Sequence, residues 1–190
     1  MGKLLEIIAT FESCNDQELS NKAEIINYIN QYPDDILLRS NEVAHITSSG
    51  FIMNDKLDKV LMVHHNIRNT WSWTGGHADG EHDLLYVAIK EAKEETGLKN
   101  MIPLTNNIAS LDIGYVKEHK RKNELVGAHK HLSIAYILIA SENDKLEVKE
   151  YENSAVKWFE LDFINKDNFD DFDFNLYGKL IEKAIEWNSG

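Results

Sequence analysis

The segment that most constrains the fold of this chain is residues 75–98, GGHADGEHDLLYVAIKEAKEETGL. Two adjacent glycines, Gly75 and Gly76, let the backbone approach a neighbouring group closely, because neither carries a Cβ atom. Residues 82–96 have helical spacing, and Gly97 is typical of the residue that follows a helix. The segment therefore predicts a loop, a helix and a second loop of fixed lengths.

Three glutamates share one side of this predicted helix. At about 100° per residue, Glu91, Glu94 and Glu95 fall within about 100° of arc, and Glu91 and Glu95 border the apolar stripe. Close carboxylates repel one another, and a hard divalent cation such as Mg²⁺ or Mn²⁺, which prefers oxygen ligands, would neutralise them. The alternative is a solvated acidic helix paired with Lys90, Lys93 and Lys99.

The rest of the chain predicts strands flanked by helices. Asn15 and Glu18 form an N-cap and N3 pair within a helical segment that Pro33 closes. A β-hairpin, further strands and a final helix are predicted at 43–53 with 60–65, at 108–116, 132–140 and 156–159, and at 176–187. The pattern indicates an α/β layered domain at 41–190, preceded by a helical extension at 1–40.

The charge of the chain disfavours a nucleic acid polymer as partner. Among 190 residues, 32 are Asp or Glu and 20 are Lys or Arg, for a net charge of −12. Polymeric nucleic acids usually bind a basic face. Residues 115–131 have the opposite charge balance, with five Lys or Arg against two Glu. This basic loop, which includes Lys122, is either a phosphate contact or a solvated hairpin end.

Compartment signals point to the cytoplasm. The N-terminus lacks the pattern of a signal peptide, and the Met1-Gly2 start lacks the downstream Ser or Thr of a myristoylation motif. No stretch approaches the ~20 apolar residues of a membrane span. Cys14 is the one cysteine, so no intramolecular disulfide forms.

Histidines near the ends of predicted strands form a second group of candidates. His129 and His131 alternate at strand spacing, so their side chains share a face. If His77 joins that face, the group could bind a metal ion or phosphate. The alternative is a set of surface histidines with no role in binding.

Residues 76–98 resemble the Nudix box, a 23-residue pattern with fixed glycine and glutamate positions. The matching positions are Gly76, Glu91, Glu94, Glu95, Gly97 and Leu98. Two positions differ, because His82 replaces the usual first Glu and Lys90 replaces the usual Arg, while Glu81 lies one position early and is a candidate substitute. Residues 43–165 are similar in layout to a whole Nudix domain, which implies an α/β/α sandwich with a mixed sheet.

The resemblance implies a metal-dependent hydrolase that cleaves the diphosphate linkage of a nucleoside diphosphate derivative or related small phosphorylated metabolite. It implies Mg²⁺ or Mn²⁺ as cofactor, with Glu91 and Glu95 as direct ligands and Glu94 as a further ligand or a group that orients water. Family members often form homodimers, which is a possible assembly here. The expected contacts to the substrate are Gly76, His77, Lys122, His129 and His131.

The resemblance also implies a general base on a distant loop. Glu152, which precedes a predicted strand at 156–159, is the first choice by layout, and Glu150 is the alternative. Each is otherwise a solvated loop acid.

Two other functions fit the same fold. A non-catalytic nucleotide sensor is disfavoured by the intact glutamate trio. An isoprenoid diphosphate isomerase is disfavoured because Cys14 lies outside the domain that would need a catalytic cysteine.

Overall fold

The computed structural model describes residues 2–66, 68–121, 124–149 and 151–189. The α-helices are α1 (Gly2–Thr10), α2 (Asp16–Gln31), α3 (Leu84–Thr96) and α4 (Asp171–Ser189), and a short 3₁₀ helix covers Leu161–Phe163. The strands are β1 (Ala44–Asn54), β2 (Lys59–His65), β3 (Thr70–Ser72), β4 (Thr74–His77), β5 (Ile102–Pro103), β6 (Ser110–Val116), β7 (His119–Arg121), β8 (Glu124–Val126), β9 (His129–Ala140) and β10 (Asn153–Glu160).

One mixed sheet of eight strands organises the domain. Its main path runs β10-β2-β1-β9-β5, with β3 on β2, β4 on β1 and β6 on β9, while β7 and β8 form a separate hairpin. The central pair, β1 and β9, is parallel, and the other pairs are antiparallel. The register places Ser48 opposite Gly76 and His45 opposite His131.

Helices cover both faces of this sheet, and β1 is therefore buried along its whole length. On one face, Ile46 and Ile52 join a hydrophobic cluster with residues of α1, α2 and α3. On the other face, Phe51 and Met53 pack in a second cluster with α4. Alternate residues of one strand thus serve two cores, and the predicted α/β/α sandwich with a mixed sheet is confirmed.

The N-terminal helices follow the predicted pattern and pack on the sheet. The Asn15 side chain accepts a hydrogen bond from the Glu18 backbone N–H at 2.8 Å, so it caps α2. The Ile46 N–H donates to the carbonyl of Ile36, and the Gly80 N–H donates to the carbonyl of Leu37. The division at residue 40 stays a prediction, and the segment before it shares its hydrophobic core with the sheet.

Among the helices of the described residues, none combines the length and the apolar character that a membrane span requires.

Candidate active site

Local hydrogen bonds set the start of α3. The Asp83 side chain caps the helix by accepting from the Tyr86 N–H at 3.0 Å. One oxygen of Glu81 accepts from the N–H groups of His82 and Asp83, at 2.7 and 2.9 Å. Glu81 therefore holds the loop backbone that leads into the helix. At the other end, Gly97 adopts φ +74°, as predicted for the residue that ends this helix.

The Gly75-Gly76 pair brings β4 against the glutamates of α3. A Cβ atom at Gly76 would lie 2.5 Å from Cδ of Glu91, closer than van der Waals contact permits. A backbone hydrogen bond from Gly75 reaches Glu95. The missing Cβ atom of Gly76 thus lets β4 approach Glu91, whereas a Cβ atom at Gly75 would lie 2.5 Å from Oγ of Ser49 on β1.

Glu95 lies where acidic groups converge. Its burial, together with the negative charges of Glu91 and Glu152, raises its pKa to about 8. Lys149 and the Gly75 hydrogen bond act in the opposite direction and are outweighed. Half-buried Glu91 and Glu95 and the loop residue Glu152 therefore form one acidic cluster, which we call the carboxylate site.

Glu94 lies at the exposed side of the carboxylate site. Its oxygens are 3.7 Å from Nζ of Lys90 and 3.5 Å from Nζ of Lys149. Lys90 is also 3.4 Å from Glu91, so this departure from the family pattern keeps a cation beside the acidic face of α3. Glu94 is consequently the member of the predicted trio that lies near two lysines, Lys90 and Lys149.

The loop before β10 is fastened to the end of α3, and this positions Glu152. The Asn153 side chain donates to the Glu95 carbonyl at 3.0 Å, and Nζ of Lys149 lies 2.9 Å from the Glu152 carboxylate. Glu152 therefore lies beside Glu95, although 57 residues separate them along the chain. Glu150, the alternative base, is outside the described residues, as is Lys122.

Arg39 approaches the carboxylate site from the N-terminal segment, which the sequence did not predict. Its guanidinium makes two hydrogen bonds to the Asp79 carboxylate, at 2.6 and 2.5 Å. The hydrogen bonds to Asp79 raise the pKa of Arg39, and the negative charges of Glu91 and Glu152 raise it further. Burial acts in the opposite direction and is outweighed. The sequence shows only an Arg after a helix, and nothing in that pattern indicates an electrostatic interaction with distant glutamates.

The histidines at 77, 129 and 131 are brought together, and His45 of β1 joins them. Ring centroids lie 5.0 Å apart for His45 and His77, 4.9 Å for His45 and His129, and 5.0 Å for His45 and His131. Burial, followed by repulsion from the other three rings, lowers the pKa of His131 to about 3. His45 was missed as a site residue, although its pairing with His131 follows from the β1–β9 register.

The donor set of the carboxylate site fits a hard divalent cation. Glu91 and Glu95 offer carboxylate oxygens, the ligand type that Mg²⁺ and Mn²⁺ prefer. Burial and the negative charges of Glu91 and Glu152 raise the pKa of Glu95, so a nearby positive charge would favour its ionised form. A cation held by Glu91 and Glu95, with Glu94 at its exposed side, would supply that charge.

Comparisons with known proteins address the fold and the family. The chain resembles the crystal structure of a NUDIX family hydrolase from Clostridium perfringens, with 21% identity over 73% of this chain and 96% of that chain and a TM-score of 0.52. It also resembles a MutT protein from Methanosarcina mazei Go1, with 20% identity over 79% of this chain and 99% of that chain and a TM-score of 0.52. At such identities the likeness establishes the fold alone.

A search of curated proteins gave no match. The sequence model described as the NUDIX domain, however, matches residues 44–180, most of the chain and all of the carboxylate site. This match confirms the expectation of a Nudix-type hydrolase that the 76–98 pattern raised. The chain belongs to the NUDIX domain family.

Proposed function

We propose that this Nudix-type hydrolase cleaves the diphosphate linkage of a nucleoside diphosphate derivative or a related small phosphorylated metabolite, with Mg²⁺ or Mn²⁺ as cofactor. Hydrolysis of a pyrophosphate linkage follows from the family, whose members generally use a divalent metal ion. The observation that carries the residue assignment is the convergence of Glu91, Glu95 and Glu152, which raises the pKa of Glu95 to about 8.

Each carboxylate has a separate role in this proposal. Glu91 and Glu95 are metal ligands, and Glu94 is a further ligand or orients water through its exposed carboxylate. When bound, the cation offsets phosphate charge and lowers the pKa of coordinated water. Glu152, beside Glu95, is the general base that takes a proton from the attacking water. Its ion pair with Lys149 supports this role by holding the side chain in the carboxylate site.

Substrate contacts complete the proposal. Gly76 lies against Glu91, so its backbone borders the space beside the metal ligands. Lys122 remains the predicted cationic contact to phosphate. A direct contact of His77, His129 and His131 with substrate also remains a prediction.

The test is hydrolysis of a panel of nucleoside triphosphates, dinucleotides and nucleoside diphosphate derivatives, with Mg²⁺ or Mn²⁺ and with chelator. We expect metal-dependent turnover, and we expect Glu95→Gln and Glu91→Gln to lower kcat by at least about 100-fold, since even residues that only support metal ligands cost 10–100-fold. Glu152→Gln should lower kcat, since the amide cannot take a proton from the attacking water. Glu186→Gln, an exposed acid on α4, is the matched control that retains activity.

Full turnover by Glu91→Gln and Glu95→Gln would overturn the ligand assignment. Tight nucleotide binding by the wild type without hydrolysis of any panel member would instead indicate the sensor alternative.

A further inference from the structure

Four histidines lie on the sheet face that is turned away from α3. The Ser48 hydroxyl donates to the Leu84 carbonyl of α3, and Ser48 pairs with Gly76, so these two residues face that helix. The next pair along the ladder, Thr47 and His77, therefore faces the other way. His45 lies two residues before Thr47 on the same face of β1.

Three adjacent strands hold these rings in register. His45 is directly opposite His131 in the parallel β1–β9 pair, and His77 lies diagonally across from His45 on β4. The ring centroids of His77 and His131 are 4.9 Å apart, and those of His129 and His131 are 5.1 Å apart. Sheet geometry rather than loop conformation thus positions the whole group, which we call the histidine cluster.

Backbone carbonyls fix which ring nitrogens face the middle of the cluster as acceptors. Nδ1 of His45 is 3.0 Å from the Asn41 carbonyl oxygen, and Nδ1 of His129 is 2.8 Å from that of Gly127. A carbonyl only accepts, so each Nδ1 carries the proton and each Nε2 of the neutral ring carries a lone pair. In a metal-binding histidine, the ring nitrogen that does not bind the metal commonly donates its N–H to a group such as a backbone carbonyl.

Nε2 of His45 is the observation that calls for a ligand. His45 is 4% exposed, and its Nε2 is buried with no hydrogen-bond partner. Buried polar atoms are nearly always paired, so an orphan of this kind needs an explanation such as a bound ion. The ligand nitrogens of His45, His77 and His131 all lie within 4.8 Å of one another.

The chemistry of the donors selects the ion. Imidazole nitrogen suits Zn²⁺ and its neighbours among the transition metals, whereas Mg²⁺ and Mn²⁺ favour oxygen. Two nitrogens bound to one tetrahedral Zn²⁺, at about 2.0–2.1 Å each, are about 3.3 Å apart. Nε2 of His129 lies 3.2 Å from Nε2 of His131, a distance that fits a hydrogen bond between the two rings and is also close to the nitrogen spacing around one such ion.

We propose that His45, His77 and His131 bind one divalent transition-metal ion of the Zn²⁺ class. The imidazole of His129 lies beside these three ligands. This site is separate from the carboxylate site, because Gly76 faces Glu91 and the next residue, His77, faces the opposite side of β4. The proposal does not rest on the hydrolase function, and it gives His77 and His131 a role other than the substrate contact predicted for them. The ion would join β1, β4 and β9 and so stabilise the strand that carries Gly75 and Gly76.

The test is titration of metal-free full-length protein with Co²⁺ in excess Mg²⁺, which occupies oxygen-donor sites. Four-coordinate Co²⁺ with nitrogen ligands has a strong visible absorption band, whereas six-coordinate Co²⁺ with oxygen ligands absorbs weakly. We expect the strong band to saturate at one equivalent, and Zn²⁺ to displace it and to raise Tm. His131→Ala and His77→Gln should weaken Co²⁺ binding at least about 100-fold.

Two controls separate the sites. His82→Gln, which removes an exposed histidine at the start of α3, should leave Co²⁺ binding unchanged, and so should Glu95→Gln. Circular dichroism verifies folding, and His77→Gln, at a half-buried position, keeps the test valid if His131→Ala does not fold.

The proposal is overturned if the wild type gives no strong band, or if the band survives in both histidine variants. It is also overturned if His77→Gln raises KM for a diphosphate substrate while Co²⁺ binding is intact, since the histidines would then bind substrate.

Discussion

At the scale of single residues, Glu95 is an acid whose surroundings oppose its charge. It is half-buried, it lies beside Glu91 and Glu152, and its pKa is raised to about 8. A folded-state pKa above the unfolded value means that the folded protein holds the proton more tightly. Its contribution to stability is therefore complete below the unfolded pKa of about 4.5 and declines as the pH rises towards 8.

Glu95→Gln should therefore stabilise the metal-free protein at alkaline pH. The amide cannot ionise, so the variant avoids the cost of a third negative charge. With neighbouring carboxylates partly exposed to water, we expect a gain of about 1–2 kcal/mol at pH 8, or roughly 3–6 °C in Tm, and almost none at pH 4.5. Thermal unfolding in chelator across this pH range measures the effect.

Glu94→Gln is the matched control for this measurement. Glu94 is exposed and has Lys90 and Lys149 as counter-charges, so its loss should change stability by less than about 1 kcal/mol at either pH. An equal gain in both variants, or a gain at Glu95 that does not depend on pH, would contradict the assigned environment.

The sequence predicted these residues unevenly, for physical reasons. Helical spacing is local, so it placed Glu91, Glu94 and Glu95 on one side of α3 as observed. Burial of Glu95 and pairing of Glu94 depend on β4 and on the loop before β10, which the helix alone does not encode. Arg39 and His45 were missed for the same reason, because their neighbours come from strands and helices far along the chain.

At the scale of elements, the β4–α3 contact depends on the missing Cβ atom of Gly76. A Cβ atom there would lie 2.5 Å from Cδ and 2.7 Å from Oε2 of Glu91. These atoms belong to the end of a flexible side chain, so the protein can relieve the clash by moving the carboxylate. The cost should consequently fall on the position of a metal ligand rather than on folding.

Gly76→Ala should lower metal-dependent turnover by about 100-fold, because a displacement of about 1 Å in a catalytic group costs that much. Its Tm should stay within a few degrees of wild type. Gly178→Ala is the matched control, since a Cβ atom at this helical position meets nothing within 4 Å. It should retain full activity and gain about 0.5–1 kcal/mol. Equal activity in the two variants would show that the close approach at Gly76 has no role.

At the scale of the whole molecule, a buried ionic group joins the N-terminal helices to the domain. Nζ of Lys179 on α4 lies 2.8 Å from Glu18 on α2 and 3.1 Å from Asp112 on β6. Glu18 is fully buried and also accepts from the Cys14 N–H and from the Ser110 hydroxyl. One lysine therefore forms ion pairs with two carboxylates from different elements.

The predicted extension at 1–40 illustrates what sequence patterns omit. The helices and the Asn15 cap were predicted, because propensity and capping are local properties. Their attachment was not, since Glu18 has the sequence appearance of an ordinary N3 residue rather than of a buried ionic partner. The family match begins at residue 44, yet the segment before it contributes Ile25, Ile29 and Ile36 to the main hydrophobic cluster.

Lys179→Met should destabilise the protein by about 3 kcal/mol at pH 7, because it leaves two buried carboxylates without their cation. Burial raises the pKa of Glu18, but the Cys14 N–H and Lys179 together outweigh it, so the pKa is lowered. The stabilisation from Glu18 is thus present above its unfolded pKa of about 4.5 and is lost as the pH falls through its lower folded value. The deficit of the variant should therefore be largest near pH 7 and shrink towards pH 4, where protonation of Glu18 removes its unpaired charge. Lys183→Met, which removes a lysine that donates to the Ala109 carbonyl at 2.9 Å, is the matched control with a smaller deficit independent of pH. Urea unfolding at both pH values distinguishes the two variants, and equal deficits for Lys179→Met at pH 4 and pH 7 would show that Glu18 and Asp112 do not depend on this cation.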